Sequence, residues 1–481
     1  MDVVWLARVQ FALAVMFHYI FPPLTIGVGL LMVIMEGTYM RTRNPIYEAM
    51  AKFWTKVFAV NFAMGVSTGI VMTFQFGMNW GAFSNYVGNI FGAALAAEGI
   101  FAFFLESGFL AVLLFGWDRV SPPVHFFATI MTTCGAIFSA VWIIIANSWM
   151  QTPAGYQVVE FQGVPRAELT FFWDMIFNPS TVPRLIHTLI GCFIVGAFFV
   201  MSISAYYIVR NRFVDFAKRS FTIALLAALV YSFVMMSSGD LMARTVAFYQ
   251  PEKLATFEGH FKTGEGPTPF LLFGVPDEKE QTVKYALYVP KLLTFLVYRN
   301  FTTPVKGRDY VKDPADRPPL WIPFLCYHIM IYSAGLFAGL TLLGAIFLWR
   351  GTLFEKKWLM WIFVFAIIFP YMANHSGWIC AEVGRQPWVV YHQMKTSHGV
   401  SAAVSGGEVL AGIIMFAVIY GLLFFVWIYV LSSKILHGPE LPETPPETTT
   451  VKGLLGAAAE RMRPELSEMA DQEDESKESP S

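Results

Sequence analysis

Five residues combine metal-binding chemistry with an apolar setting: His18, Glu98, His187, Met330 and Glu382 each lie within or at the edge of a long hydrophobic run. A side chain that ionises inside a bilayer is costly unless it is paired or at work, so these residues are where function is sought first. Imidazole, thioether and carboxylate, with no C-x-x-C-H string, form the ligand inventory of a non-covalently held haem iron, in which His/Met ligation raises the potential of an electron-transfer centre. Singly they say less, since one His near a helix end is more often a hydrogen-bonded structural residue and one Met more often core. Glu106 follows Glu98 in the same run, about 12 Å further along a helix at about 1.5 Å per residue, with Ser107 and Ser139 offering hydroxyls at similar depth. That group suits a proton relay or, equally, a polar contact gluing two helices.

The elements that must hold these residues follow from hydropathy. Of the 481 residues 56% are hydrophobic and 14% charged, too little charge for a soluble fold of this length. Runs long enough to cross a bilayer, about 20 residues each, appear near 10–35, 56–79, 93–116, 126–149, 185–209, 220–238, 325–349, 358–382 and 408–431. The expected fold is an all-α integral membrane protein of nine bundled transmembrane helices. Arg41, Arg43, Lys52, Lys56, Arg119, Arg210, Arg212, Lys218, Arg219, Arg350, Lys356, Lys357 and Lys434 occupy one set of alternate connections and the final helix end, against Arg166, Arg184, Arg385 and Lys395 on the other. The positive-inside rule then predicts the N-terminus outside and the C-terminus in the cytoplasm. In that topology His18, Glu98, His187, Met330 and Glu382 converge at one depth near the outer face.

Four segments are expected: helices 1–6 over 1–238, a polar outer connection over 239–323, helices 7–9 over 324–432, and a disordered cytoplasmic tail over 433–481 rich in Pro, Glu, Thr and Ser. Cys134, Cys192, Cys326 and Cys380 sit in or beside apolar stretches and read as packing residues. A net charge of -1 points to no nucleic-acid partner.

The strings FQFGMNW (74–80), ALAAEGIFAFFLES (94–107), FGWDR (115–119), WIIIANSWMQTP (142–153) and AEVGRQPW (381–388) resemble subunit I of cytochrome bd quinol oxidases, from the first helix to about residue 431. The resemblance implies two haems b and one haem d, or a third haem b in place of the last. It implies that His187 and Met330 ligate a low-spin haem b, His18 the haem d and Glu382 a high-spin haem b, with Glu98 beside the haem d iron; the two high-spin assignments remain exchangeable. It favours the relay reading of Glu106, Ser107 and Ser139. In the outer connection, Lys253 and Glu258 match the family's quinol-oxidation loop, although unaided they read as solvated surface charges. A carboxylate within reach of a quinol hydroxyl makes chemical sense, because quinol loses two protons with its electrons. Arg385 could hold a haem propionate by a forked contact, and Trp378, one turn before Glu382, could pack between rings.

What the resemblance implies overall is quinol oxidation at the outer face and oxygen reduction to water, building a proton gradient without pumping, in a bacterial cytoplasmic membrane. The partners implied are a second membrane subunit, a small single-helix accessory subunit, quinol, O2 and membrane lipid. Two features stand apart. His328 occupies a place where members usually carry Arg, and it puts a competing ligand beside Met330. The outer connection is of the short type, so quinol preference does not carry over.

Three rival functions are weighed. A haem-copper oxidase needs a histidine-rich copper site, yet none of the nine histidines are adjacent and no H-P-E-V-Y string occurs. A haem b anchor of a quinone-linked dehydrogenase needs mainly bis-axial haems, against which a lone carboxylate ligand argues. A secondary transporter could use Glu98 and Glu106 as coupling residues, but its usual broken helices and paired halves are not expected here.

Overall fold

The computed structural model describes residues 2–441. Its helices in chain order are α1 (Val3–His18), α2 (Phe21–Thr42), α3 (Pro45–Met78), α4 (Gly81–Ala97), α5 (Phe104–Phe115), α6 (Pro122–Gln151), α7 (Phe172–Ile176), α8 (Thr181–Val209), α9 (Val214–Tyr249), α10 (Pro251–Phe257), α11 (Leu292–Tyr298), α12 (Trp321–Trp349), α13 (Lys357–Phe365), α14 (Ile368–Val383) and α15 (Gly406–His437). Among the described residues they make nine spans long and apolar enough to cross a membrane, with α1–α2, α4–α5 and α13–α14 each counting as one. Helix is the form expected there, because a bilayer offers backbone amides no water and each must be satisfied within its own segment.

The apolar runs read as unbroken, yet two spans are interrupted, and proline explains both. Pro22 would press its ring on the carbonyl of His18, and α1 ends at His18. Pro370 stands in the same relation to Ala366, where α13 gives way to α14. A third irregularity, a π-helical turn over Glu98–Phe103, joins α4 to α5 and begins at Glu98. Such turns insert a residue into the helical ladder and favour functional positions.

Helix α8 is the most enclosed span. Its Gly196 meets Gly27 of α2 so closely that a Cβ on Gly27 would come within 2.3 Å of the Cys192 carbonyl. Small residues thus let the two backbones touch, the packing device of helices that have no hydrophobic drive to associate within lipid.

The connections add structure that an all-helical reading omits. Antiparallel hairpins pair β1 (Tyr156–Phe161) with β2 (Val164–Leu169), β3 (Phe270–Asp277) with β4 (Thr282–Val289), and β5 (Trp388–Val390) with β6 (Met394–Lys395). The boundaries shift too. Helix α9 continues to Tyr249 rather than ending at 238, so the long connection runs from 250 to 320 and contains α10 and α11. Helix α15 extends to His437, which places 433–437 in the last span; the expected disorder over 442–481 lies outside the described residues.

Candidate active site

The two histidines singled out for iron are held alike. His18 Nδ1 lies 2.9 Å from Thr68 Oγ1, whose proton goes to the Met64 carbonyl at 2.8 Å. His187 Nδ1 lies 3.0 Å from Ser238 Oγ, whose proton goes to the Met235 carbonyl at 3.0 Å. A hydroxyl whose proton is committed can only accept, so each ring is N–H at Nδ1 and offers its Nε2 lone pair, the form a metal takes. His375 contrasts with them: its two nitrogens face the Tyr371 and Met16 carbonyls, at 2.9 and 3.0 Å.

Glycines stand beside the candidate ligands. A Cβ on Gly69 would lie 3.3 Å from the His18 ring and one on Gly377 would lie 3.2 Å from Met330 Sδ. Both contacts are tighter than ordinary van der Waals distance, so either side chain would have to shift by a few tenths of an ångström. His328 is buried beside Phe324, with Nδ1 donating to the Phe324 carbonyl at 2.9 Å and Nε2 without a partner.

Glu382 is the centre of a polar cluster. Its Oε1 accepts from Asn147 Nδ2 at 3.1 Å and Gln151 Nε2 at 3.2 Å, and its Oε2 pairs with Arg385 at 2.5 Å. Arg184 approaches at 3.8 Å, is hydrogen-bonded to Asn147, and lies over the Trp378 ring, 5.5 Å from its centroid. Trp378 in turn meets Tyr19 edge-on at 5.5 Å, which ties the α1–α2 break to α14. Trp378 therefore packs between an arginine and a phenol in this structure. Arg184 Nε and Arg385 Nη1 are buried without partners, two donors of the kind that a propionate would satisfy.

Elsewhere in the bundle, Ser139 Oγ donates to Glu98 Oε1 at 2.6 Å. Glu106 is buried against Gly135, one turn from Ser139 on α6, where a Cβ would come within 2.8 Å of the Glu106 Cβ. Ser107 is exposed, so the two serines differ in setting.

The long connection over 250–320 overturns the surface-charge reading of Lys253 and Glu258, which are only 2% and 3% exposed. Lys253 Nζ donates to Gln151 Oε1 at 2.7 Å and Gln250 Oε1 at 2.8 Å. Burial, joined by nearby Arg184 and Arg385 and opposed by Glu382, pulls its ammonium down to about 7. Glu258 Oε1 accepts from the Tyr327 hydroxyl at 2.6 Å while Oε2 has no partner. Burial pushes its carboxyl up to about 8 in spite of that hydrogen bond and of the nearby Leu271 backbone N–H, both of which lower it. Helix α10 packs on the turn after Glu382: a Cβ on Gly384 would meet Phe257 at 2.9 Å and Lys253 at 3.1 Å.

A sequence model of the family described as cytochrome bd terminal oxidase subunit I matches residues 6–439, nearly the whole described chain. The chain belongs to the cytochrome bd terminal oxidase subunit I family. It is 36% identical over 444 residues to the cytochrome bd ubiquinol oxidase subunit 1 of Bacillus subtilis (strain 168), covering 90% of this chain and 94% of that one. It is 32% identical over 507 residues to the cytochrome bd-II ubiquinol oxidase subunit 1 of Escherichia coli (strain K12), covering 91% and 97%. The solved bd oxidase from Geobacillus thermodenitrificans matches with a TM-score of 0.83 at 29% identity, over 91% of this chain and 99% of that one.

Family membership makes the protein a multi-pass, haem-containing oxidase subunit. It also disposes of the transporter, whose expected absence of broken helices the structure contradicts. The donor set fits haem: among the described residues no three of His, Cys, Asp and Glu gather to hold a bare ion, whereas a macrocycle asks the protein for only one or two axial donors. Asn147, Gln151, Arg184 and Tyr327 are the site residues that sequence reasoning missed. Asn147 and Gln151 carried a signal, since polar residues four apart in an apolar run share a helix face. Arg184 was counted only as a loop charge.

Proposed function

We propose that the chain is the quinol-oxidising, oxygen-reducing subunit of its oxidase, a quinol:oxygen oxidoreductase. The observation that carries this reading is the packing of α10, with buried Lys253 and Glu258 on or beside it, against Gly384, two residues after Glu382. A quinol ring meeting the connection there has a base and a cation on one side and the haem-ligand turn on the other.

In this reading His187 and Met330 hold a low-spin haem b, His18 a haem d or third haem b, and Glu382 a high-spin haem b, with Arg385 on a propionate. Bound haem supplies one-electron transfer and oxygen chemistry. The chain's own work is proton handling and orientation. Glu258 takes a hydroxyl proton from quinol at its free Oε2, while Tyr327 fixes Oε1. Lys253 keeps one N–H beyond its two glutamine contacts to orient the other quinol oxygen. Thr68 and Ser238 hold the two imidazoles in the Nε2-donor tautomer. Glu98, Ser139 and Glu106, with Ser107 at the periphery, supply the protons that water formation consumes.

Quinol protons leave at the outer face and oxygen's protons arrive from the cytoplasm, so a gradient forms without pumping. The N-terminus is outside, the C-terminus cytoplasmic, and the membrane is the bacterial cytoplasmic one. A second membrane subunit and a small single-helix subunit complete the assembly in lipid; relatives named as subunit 1 support the first of these.

Glu382→Ala tests the reading in the purified oxidase. Expected are loss of one haem per protein and of oxygen consumption with quinol, with the low-spin signal kept in the reduced-minus-oxidised spectrum. A full haem complement would refute the Glu382 assignment.

A further inference from the structure

Gln151 is the last residue of α6, is 1% exposed, and touches both halves of the proposed site. Its Oε1 accepts from Lys253 Nζ at 2.7 Å and its Nε2 donates to Glu382 Oε1 at 3.2 Å. The orientation of the amide follows from chemistry: an ammonium only donates and a carboxylate only accepts, so oxygen must face Lys253 and nitrogen Glu382. Among side chains of this length glutamine alone can serve both partners. Glutamate would lose the donor, lysine the acceptor, and leucine or methionine both. The main chain is tied in as well, since the Gln151 carbonyl accepts from Gln250 Nε2 at 3.1 Å and Gln250 Oε1 accepts from Lys253.

We infer that Gln151 is a positioning residue that couples quinol occupancy to the electronic state of the haem held by Glu382, by transmitting the position of the Lys253 ammonium through its amide. The inference rests on the reading that Lys253 meets quinol and Glu382 meets iron. An ammonium on the amide oxygen polarises the group and strengthens the N–H facing Glu382, as linked hydrogen bonds do in a low-dielectric site. When a quinol oxygen takes the third Lys253 N–H, the ammonium's hold on the amide oxygen loosens, the N–H facing Glu382 weakens, and the carboxylate would become a stronger ligand to a bound iron. A direct Lys253–Glu382 pair would bind both charges to each other. The amide spacer keeps them apart while leaving each informed of the other, and the coupling is reciprocal.

Neighbouring side chains provide the controls. Asn147 donates to Glu382 and Gln250 accepts from Lys253, so each contacts one end where Gln151 contacts both. The experiment uses the intact oxidase and whichever of a short-chain ubiquinone and a short-chain menaquinone the wild type turns over. The absorption band and midpoint potential of the high-spin haem are recorded with and without saturating quinone, beside the KM for the corresponding quinol. In the wild type, quinone should shift the haem signature. In Gln151→Leu that response should vanish and KM should rise about tenfold or more, the scale of a lost hydrogen bond to a charged group. Asn147→Leu should move the resting signature yet still respond to quinone, and Gln250→Leu should raise KM and still respond. Gln151→Glu, which keeps the Lys253 contact and opposes Glu382, serves if the leucine variant fails to fold; its resting signature should move while KM changes little. A quinone response of wild-type size in Gln151→Leu, or in Gln151→Glu where that variant stands in, overturns the inference, as does no response in the wild type. Failure of the underlying reading shows separately, as full haem content in Glu382→Ala.

Discussion

Glu258 and Tyr327 join the long connection to the seventh span through a 2.6 Å hydrogen bond, with Phe257 stacked on the phenol at 5.2 Å. Burial pushes this carboxyl up to about 8 against the lowering effect of the Tyr327 hydrogen bond. Below that pH the free carboxyl is protonated and cannot accept from quinol; as pH rises through it, the base appears. Lys253, at about 7, loses its charge over the same interval. The kcat/KM for quinol should therefore be a narrow bell with apparent limbs near those two values, which belong to the pair jointly. Glu258→Gln should lower kcat/KM by at least about a hundredfold, the scale of a general base, and remove the bell. Oxygen reduction fed by an artificial donor directly to the haems should stay normal. Equal loss in both assays would mean that the loop acts through folding.

Thr68→Val tests the tautomer argument. Valine keeps the shape and removes the acceptor for His18 Nδ1–H, so haem affinity at that site should fall by about 10- to 100-fold while the His187 site is untouched. Haem titration of the stripped protein measures it. Unchanged affinity would show that Thr68 is packing alone.

For the low-spin haem, Met330→Leu should abolish the low-spin reduced signal or lower its potential, because the thioether is what raises it. The imidazole of His328, two residues away, offers a substitute ligand. A preserved low-spin spectrum in the single variant that disappears in Met330→Leu/His328→Leu would identify that substitution, and one that survives in both would remove Met330 from the ligand set.

Proton supply gives the last prediction. If quinol and haems share the outer side, electron movement alone builds little potential and protons must cross most of the bilayer, at about 2.3 kcal/mol per charge against 100 mV. Glu106, buried against Gly135 one turn of α6 from Ser139, is the proposed residue to pass them on. Glu106→Gln should block turnover and proton uptake while initial reduction of the low-spin haem stays near normal. Vesicles with a pH dye should show about one charge per electron in the wild type; a ratio near two, or a normal rate in the variant, contradicts the scheme.

Sequence by itself determined the spans, for one physical reason: a bilayer tolerates few polar groups, so hydropathy marks the helices and leaves their polar exceptions as the candidates for chemistry. Proline positions also carried the breaks at His18 and Ala366, had the i−4 clash been applied inside an apolar run. Tertiary structure alone decided the rest. Burial of Lys253 and Glu258 depends on α10 folding back over Gly384, a long-range contact with no local signature. The tautomers of His18 and His187 depend on Thr68 and Ser238, each about fifty residues away in sequence. The Lys253–Gln151–Glu382 chain joins three segments whose meeting no periodicity encodes.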